Sequence, residues 1–160
     1  MPHRFRARAL APFLAAAVLA PAGCSLGGAG PGRDVSAFDL TAGRCLVPPD
    51  EIAPELSDVR VVPCDTPHTH EAFDTVRYAA ADGTATDAVH PGPEALTSFA
   101  EAQCARRYEA YVGVPYAQSE LLLTYLLPSV RGWHHGDRSV VCVVTTTGPS
   151  LTGSVQGTRR

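Results

Sequence analysis

The side chains able to do chemistry in this 160-residue chain are five Cys, six His and 16 Asp and Glu, and their spacing limits what each could do. Cys24 directly follows Ala22-Gly23, the small residues that a lipoprotein signal peptidase requires before a Cys whose sulfur takes a diacylglycerol. Upstream lie a basic start with Arg4, Arg6 and Arg8 and an apolar stretch of 12 residues from Ala9 to Ala20. That stretch is shorter than the roughly 20 residues of a membrane-spanning helix and carries Pro12, so residues 1–23 read as a cleaved export signal and Cys24 as the lipid carrier. Pro21 stands where an aliphatic residue is usual, which leaves ordinary cleavage after Ala20-Pro21-Ala22, or an uncleaved anchor, as alternatives.

Setting Cys24 aside leaves an even set, Cys45, Cys64, Cys104 and Cys142. In an exported chain this spacing reads as two disulfides, and four Cys allow three pairings. No Cys-x-x-Cys occurs, which argues against a redox motif or a zinc knuckle.

The segment Pro67-His68-Thr69-His70-Glu71 is the most ligand-like cluster, because His68 and His70 share a face if it is extended. His134 and His135 are further imidazoles, but zinc wants three or four convergent ligands, so no metal or cofactor is expected. The plainer reading has His68 hydrogen-bonding a turn and Glu71 pairing an Arg. A Met-rich copper site is excluded, since the initiator is the only Met. Glu71 and Glu120 could pair for glycan hydrolysis only at a separation of about 5–10 Å. All 13 basic residues are Arg, so P-loop, Schiff-base and Ser-x-x-Lys chemistry cannot be built, and neither Gly-x-Ser-x-Gly nor His-Glu-x-x-His occurs. No catalytic residue is expected. Trp133, in Arg131-Gly132-Trp133-His134-His135-Gly136-Asp137-Arg138, is an aromatic on a turn-rich segment and, with His134 and Asp137, a candidate binding surface. The competing reading folds Trp133 over a sheet, closes the turn through Asp137 and pairs Arg138 with an acid. Arg106 and Arg107 read as a solvated helix face.

These groups need a scaffold, and the chain is long enough for one. Apolar residues are 45% and charged residues 18%, enough for one core but not for a polytopic membrane protein. Ser25 to Ser36 reads as a Gly-rich flexible linker, giving residues 24–36 as lipidated Cys plus tether and 37–157 as the domain. Strands are expected at Phe38 to Leu46, Val59 to Cys64 and Glu71 to Tyr78, followed by an exposed loop from Ala79 to Pro91. A helix is expected from Pro93 to Val112, ended by Gly113, with Leu96, Phe99, Ala100, Cys104, Tyr108 and Tyr111 as its buried stripe. Leu121 to Leu127 and Ser139 to Thr147 then form a hairpin across the turn-rich Ser129 to Arg138. Val140, Cys142 and Val144 share one face of the last strand, so a helix packed there brings Cys104 to Cys142 and leaves Cys45 for Cys64; these pairings are favoured over the other two. The class is α+β, in the order β-β-β-α-β-β, with one main helix on a small mixed or antiparallel sheet. Removal of residues 1–23 leaves ten Arg against 16 acids, about −6, so nucleic acid is not expected as a partner.

Gly43-Arg44-Cys45, Val62-Pro63-Cys64 with Pro67-His68 and Glu71, Cys104, and Tyr111-Val112-Gly113-Val114-Pro115-Tyr116 together resemble the septum formation domain of actinobacterial envelope proteins. Ser119-Glu120-Leu121, Tyr125-Leu126-Leu127-Pro128, Trp133, Gly136-Asp137-Arg138, Val141-Cys142 and Leu151-Thr152-Gly153-Ser154 continue the pattern. The resemblance implies an extracytoplasmic module with a link to septum formation and no catalytic residues to carry over. The resulting expectation is a lipid-anchored interaction module on the outer face of the cytoplasmic membrane, bound to a cell-envelope protein or a peptidoglycan component. A peptidoglycan- or glycan-acting hydrolase and a metal-binding envelope protein are the alternatives.

Overall fold

The computed structural model describes residues 32–47, 58–80 and 89–160. The export signal, Cys24 and the tether up to residue 31 lie outside the described residues, as does the centre of the loop at 81–88.

The elements are strand β1 (Arg33–Ser36), a 3-10 turn (Ala37–Asp39), β2 (Arg44–Val47), β3 (Asp58–Val62), β4 (His70–Arg77), helix α1 (Pro93–Val112), a second 3-10 turn (Tyr116–Gln118), β5 (Leu122–Leu126), helix α2 (Val130–His134) and β6 (Ser139–Thr145). Every ladder is antiparallel and the spatial order is β1-β3-β2-β4-β6-β5. The fold is therefore α+β, one main helix on a six-stranded sheet, as the chain's pattern implies.

Helix α1 starts at Pro93, whose missing N–H falls where no intrahelical partner exists, and stops at Gly113, held in the left-handed region at φ 93°. Its buried ridge is Leu96, Ala100, Cys104, Tyr108 and Val112, a strict four-residue repeat, while Phe99 and Tyr111 flank it half-buried. The ridge packs on Val140, Cys142 and Val144 of β6 and on Phe73 of β4. Val141 and Val143 point the other way, into a second cluster with Leu40, Leu46, Val59, Val61 and Ala72. β6 is thus buried on both faces, and its sequence is accordingly a near-continuous apolar run. Each fully buried Val or Leu contributes roughly 1.5–3 kcal/mol relative to exposure, so the two clusters hold the sheet from both sides.

Three details depart from the expected order. Residues 33–36 are not tether but strand β1, paired along β3 with Val35 opposite Val59 and an Arg60–Asp34 ion pair at 3.8 Å. A four-residue edge strand with one apolar side chain has no periodicity to betray it; the ladder with β3 creates it. The strand expected at Phe38 to Leu46 is shortened to Arg44–Val47 behind the 3-10 turn. The turn-rich stretch before β6 contains α2, capped by Ser129, whose hydroxyl accepts the Gly132 N–H at 3.0 Å.

Candidate functional site

Sheet register assembles a buried polar centre. β2 and β4 pair with Cys45 directly opposite Glu71, and residues opposite one another share a face, so Cys45 and Glu71 both lie toward α1. Cys64 follows the end of β3, whose Val62 is Cys45's other neighbour, and the two Cys form a disulfide with Cα atoms 5.2 Å apart. His68 is bracketed against the C-terminal segment, its N–H donating to Leu151 O at 3.1 Å and its carbonyl accepting the Leu151 N–H at 2.8 Å. Cys45, His68 and Glu71 thereby each offer a ligand atom within 4.8 Å of the others, and all three are buried.

Glu71 is fully enclosed, at 0% exposure, and survives there through three donors. The Tyr111 hydroxyl donates to Oε1 at 2.6 Å, the Ser154 hydroxyl to Oε1 at 2.5 Å and the Val155 N–H to Oε2 at 2.8 Å. One carboxylate therefore ties β4 to α1 and to the C-terminal segment. Bonds to a charged acceptor are roughly twice as strong as neutral ones, which offsets the cost of burying the charge. Burial pushes the Tyr111 phenol far above its ordinary value, and the hydrogen bond to Glu71 and that carboxylate's charge add to the shift. It stays protonated and donating. The expectation that Glu71 pairs an Arg is thus corrected to this hydroxyl and amide set.

His68, 2% exposed, has Nδ1 2.8 Å from Thr66 O. A carbonyl only accepts, so Nδ1 carries a hydrogen, and the predicted turn bond is present. Nε2 is buried and meets no hydrogen-bond partner among the described residues. His70 does not join it: Nδ1 lies 2.8 Å from Thr69 Oγ1 and Nε2 3.1 Å from Thr145 Oγ1. Burial, then the neighbouring His68, lowers the His70 pKa. His134 and His135 are exposed around the end of α2 and belong to no metal-sized cluster among the described residues. Glu120 is at the surface, its Oε1 2.7 Å from Arg160 Nε, so it does not share an environment with enclosed Glu71.

The Trp133 surface is corrected more sharply. Trp133 is 2% exposed, with Tyr78 and His90 packed edge-on at ring-centroid distances of 5.8 and 5.3 Å. The Arg138 guanidinium lies 3.8 Å above its ring, and Nη1 donates to Trp133 O at 2.7 Å. Asp137 Oδ1 accepts the Ser139 N–H at 2.8 Å and so closes the turn. Of the three residues read as a binding surface, only His134 is exposed and Asp137 is half-buried. An indole of that area gains more against Tyr78, His90 and the Arg138 guanidinium than in water, and the short helix α2 delivers it there.

Reading the residues alone missed Ser154, Val155 and Tyr111 as partners of Glu71. Tyr111 reads only as part of the helix stripe. The C-terminal segment has no pattern until its Leu151-Thr152-Gly153-Ser154 motif is seen to cross His68 and Glu71. Among the described residues no helix is long and apolar enough to cross a membrane. A family model described as septum formation matches residues 42–160, reaching Arg160 rather than ending at 157. No curated protein and no solved structure matches the chain.

Proposed function

Since the chain belongs to the septum formation family, we propose that it is a non-catalytic interaction module of the cell envelope, tethered to the outer face of the cytoplasmic membrane by a lipid on Cys24. Its two disulfides and its family fit an extracytoplasmic protein. The observation that carries the non-catalytic part is the state of Glu71. A carboxylate with no exposure, held by three donors, has no path to a glycosidic oxygen and no freedom to exchange a proton with one. Recognition then falls to the outer surface. Val130 is 51% exposed on the same short helix as exposed His134, and together they replace Trp133 as the anchor to test on that side of the domain. The partner in this reading is an envelope protein or a peptidoglycan component.

The test uses the full chain expressed with its own leader. Radiolabelled palmitate should enter the wild type and not Cys24→Ala; a wild type without label ends the tether. The purified protein incubated with peptidoglycan should be retained or pass through without releasing soluble fragments, and fragment release would make it a hydrolase. Val130→Asp with His134→Ala should reduce recovery of the envelope partner while leaving the melting temperature within a degree or two of wild type.

A further inference from the structure

We propose that, before its disulfide closes or after it is reduced, the Cys45 and Cys64 pair forms with His68 and Glu71 a site for a zinc-like divalent transition metal. The site's geometry is independent of the family's role. Cys45 Sγ, a His68 ring nitrogen and a Glu71 carboxylate oxygen already lie within 4.8 Å of one another, all buried. The ladder fixes this: Cys45 is opposite Glu71, while Cys64, His68 and Glu71 follow one another at four- and three-residue steps along the segment leading into β4.

Each group has the right chemistry left over. His68 Nδ1–H is spent on Thr66 O, which in the neutral ring leaves Nε2 with its lone pair, and that atom is buried with no partner among the described residues. A second nitrogen fixed by a backbone carbonyl is the usual arrangement behind a metal-bound imidazole. Among the described residues Glu71 Oε1 accepts two hydrogen bonds and Oε2 one, so Oε2 retains an acceptor position. Disulfide sulfur is a poor ligand and thiolate a strong one, so the oxidised chain lacks the sulfur donors. Cys45, His68 and Glu71 supply three converged positions, and Cys64, bonded to Cys45 in the oxidised chain, supplies the fourth once the bridge is open. Two thiolates, an imidazole and a carboxylate match zinc or cobalt in tetrahedral coordination and poorly suit magnesium or calcium.

The balance closes. The disulfide and two equivalents of a thiol reductant give the Cys45 and Cys64 thiols and the reductant's own disulfide; a divalent ion then displaces the two thiol protons. No reductant is needed for a newly made chain, because every molecule is a dithiol before the bridge forms. Metal and oxidant therefore compete for the same two sulfurs.

Cobalt(II) is the probe. Full-length protein reduced and held under anaerobic conditions should bind one equivalent with thiolate-to-cobalt charge-transfer and tetrahedral d–d bands, and the oxidised protein should show neither. Zinc should displace the cobalt and slow reoxidation of Cys45 with Cys64 at least tenfold, read by peptide mapping, with Cys104 and Cys142 closing at their usual rate. His68→Gln should weaken cobalt binding at least tenfold. Where the reduced chain loses its near-ultraviolet circular dichroism, thiols on an unfolded chain would bind without regard to His68, so equal binding by His68→Gln overturns the proposal. A reduced wild type without charge-transfer bands overturns it as well. A Cys104→Ala, Cys142→Ala protein must keep the bands; their loss there would place the metal on the wrong pair.

Discussion

Two disulfides fasten the same sheet in opposite surroundings. Cys104 and Cys142 are both fully buried, inside a cluster of Ala100, Tyr108, Val140 and Val144, and join helix to sheet. Cys45 is equally buried, but Cys64 is half-exposed and the pair borders His68 and Glu71. The first bridge extends an apolar core. The second sits at a polar joint where two strands, a loop and the C-terminal segment meet. The contrast teaches that one covalent bond acts as packing in one place and as the neighbour of reactive groups in another, and the two should fail differently.

The largest effect should come from removing the enclosed bridge. Cys104→Ala with Cys142→Ala opens a loop of 38 residues, worth about 4 kcal/mol in the chain-entropy model, and leaves small cavities besides. Cys45→Ala with Cys64→Ala opens a loop of 19, worth about 3 kcal/mol by the same model. Urea denaturation of the two double variants orders them. A larger loss for the second pair would mean that the polar joint, not the apolar core, dominates stability. Mild reduction should open Cys45–Cys64 first, because its Cys64 sulfur is the one near solvent, and mass mapping of alkylated thiols reads the order.

How much of this was legible in the residues depends on how local each signal is. The helix and the Cys104–Cys142 pairing follow from short-range patterns, a helical stripe carrying Cys104 and a strand whose parity puts Cys142 on the facing side, and Cys45–Cys64 then follows by elimination. The burial of Val141 and Val143 on the other face of β6 shows only once the sheet is assembled. β1 was not legible, because its only reason to be a strand is β3 beside it. The Glu71 site was half legible. His68 and its turn are local, but Ser154 and Val155 lie more than 80 residues away in sequence, and no spacing rule spans that. Trp133 misled, because a turn-rich sequence around an aromatic describes an exposed tip and a folded-back lid equally well. It belongs with the enclosed disulfide in this comparison. Trp133→Ala should cost about 3 kcal/mol or more by loss of buried area, and a melting temperature near that of wild type would return the ring to the surface.

A subtler test separates polar joint from apolar core. Glu71→Gln keeps the shape but removes the charge and turns an NH2 group toward donors that need an acceptor, so stability should fall by about 2 kcal/mol. The local readout is sharper than the global one. The Val155 amide, which donates to Oε2 at 2.8 Å, should exchange with solvent faster in the variant, while amides in β6 beside Cys142 change only as global stability does. Uniform acceleration would mean that the Glu71 joint is not an independent unit.

The smallest effect isolates one bond of that joint. Tyr111→Phe removes the 2.6 Å donor to Glu71 Oε1 and leaves Ser154 and Val155 in place, which should cost about 1 kcal/mol near neutral pH. Its pH dependence carries the sign. Burial, then the bond to Glu71, raises the Tyr111 pKa in the folded protein, so as pH climbs past about 10 the unfolded chain loses this proton first. The unfolded state then binds fewer protons than the native one, and stability falls with rising pH. The contribution is complete below about pH 10 and is lost above it, as the phenolate becomes the favoured form in the unfolded chain only. Phe has no such proton. Urea midpoints for wild type and Tyr111→Phe should therefore converge through the alkaline range, with Tyr108, whose pKa burial also raises, contributing equally to both proteins. A gap that stays constant would show that the phenol reaches solvent and that Glu71 is held by the C-terminal segment alone.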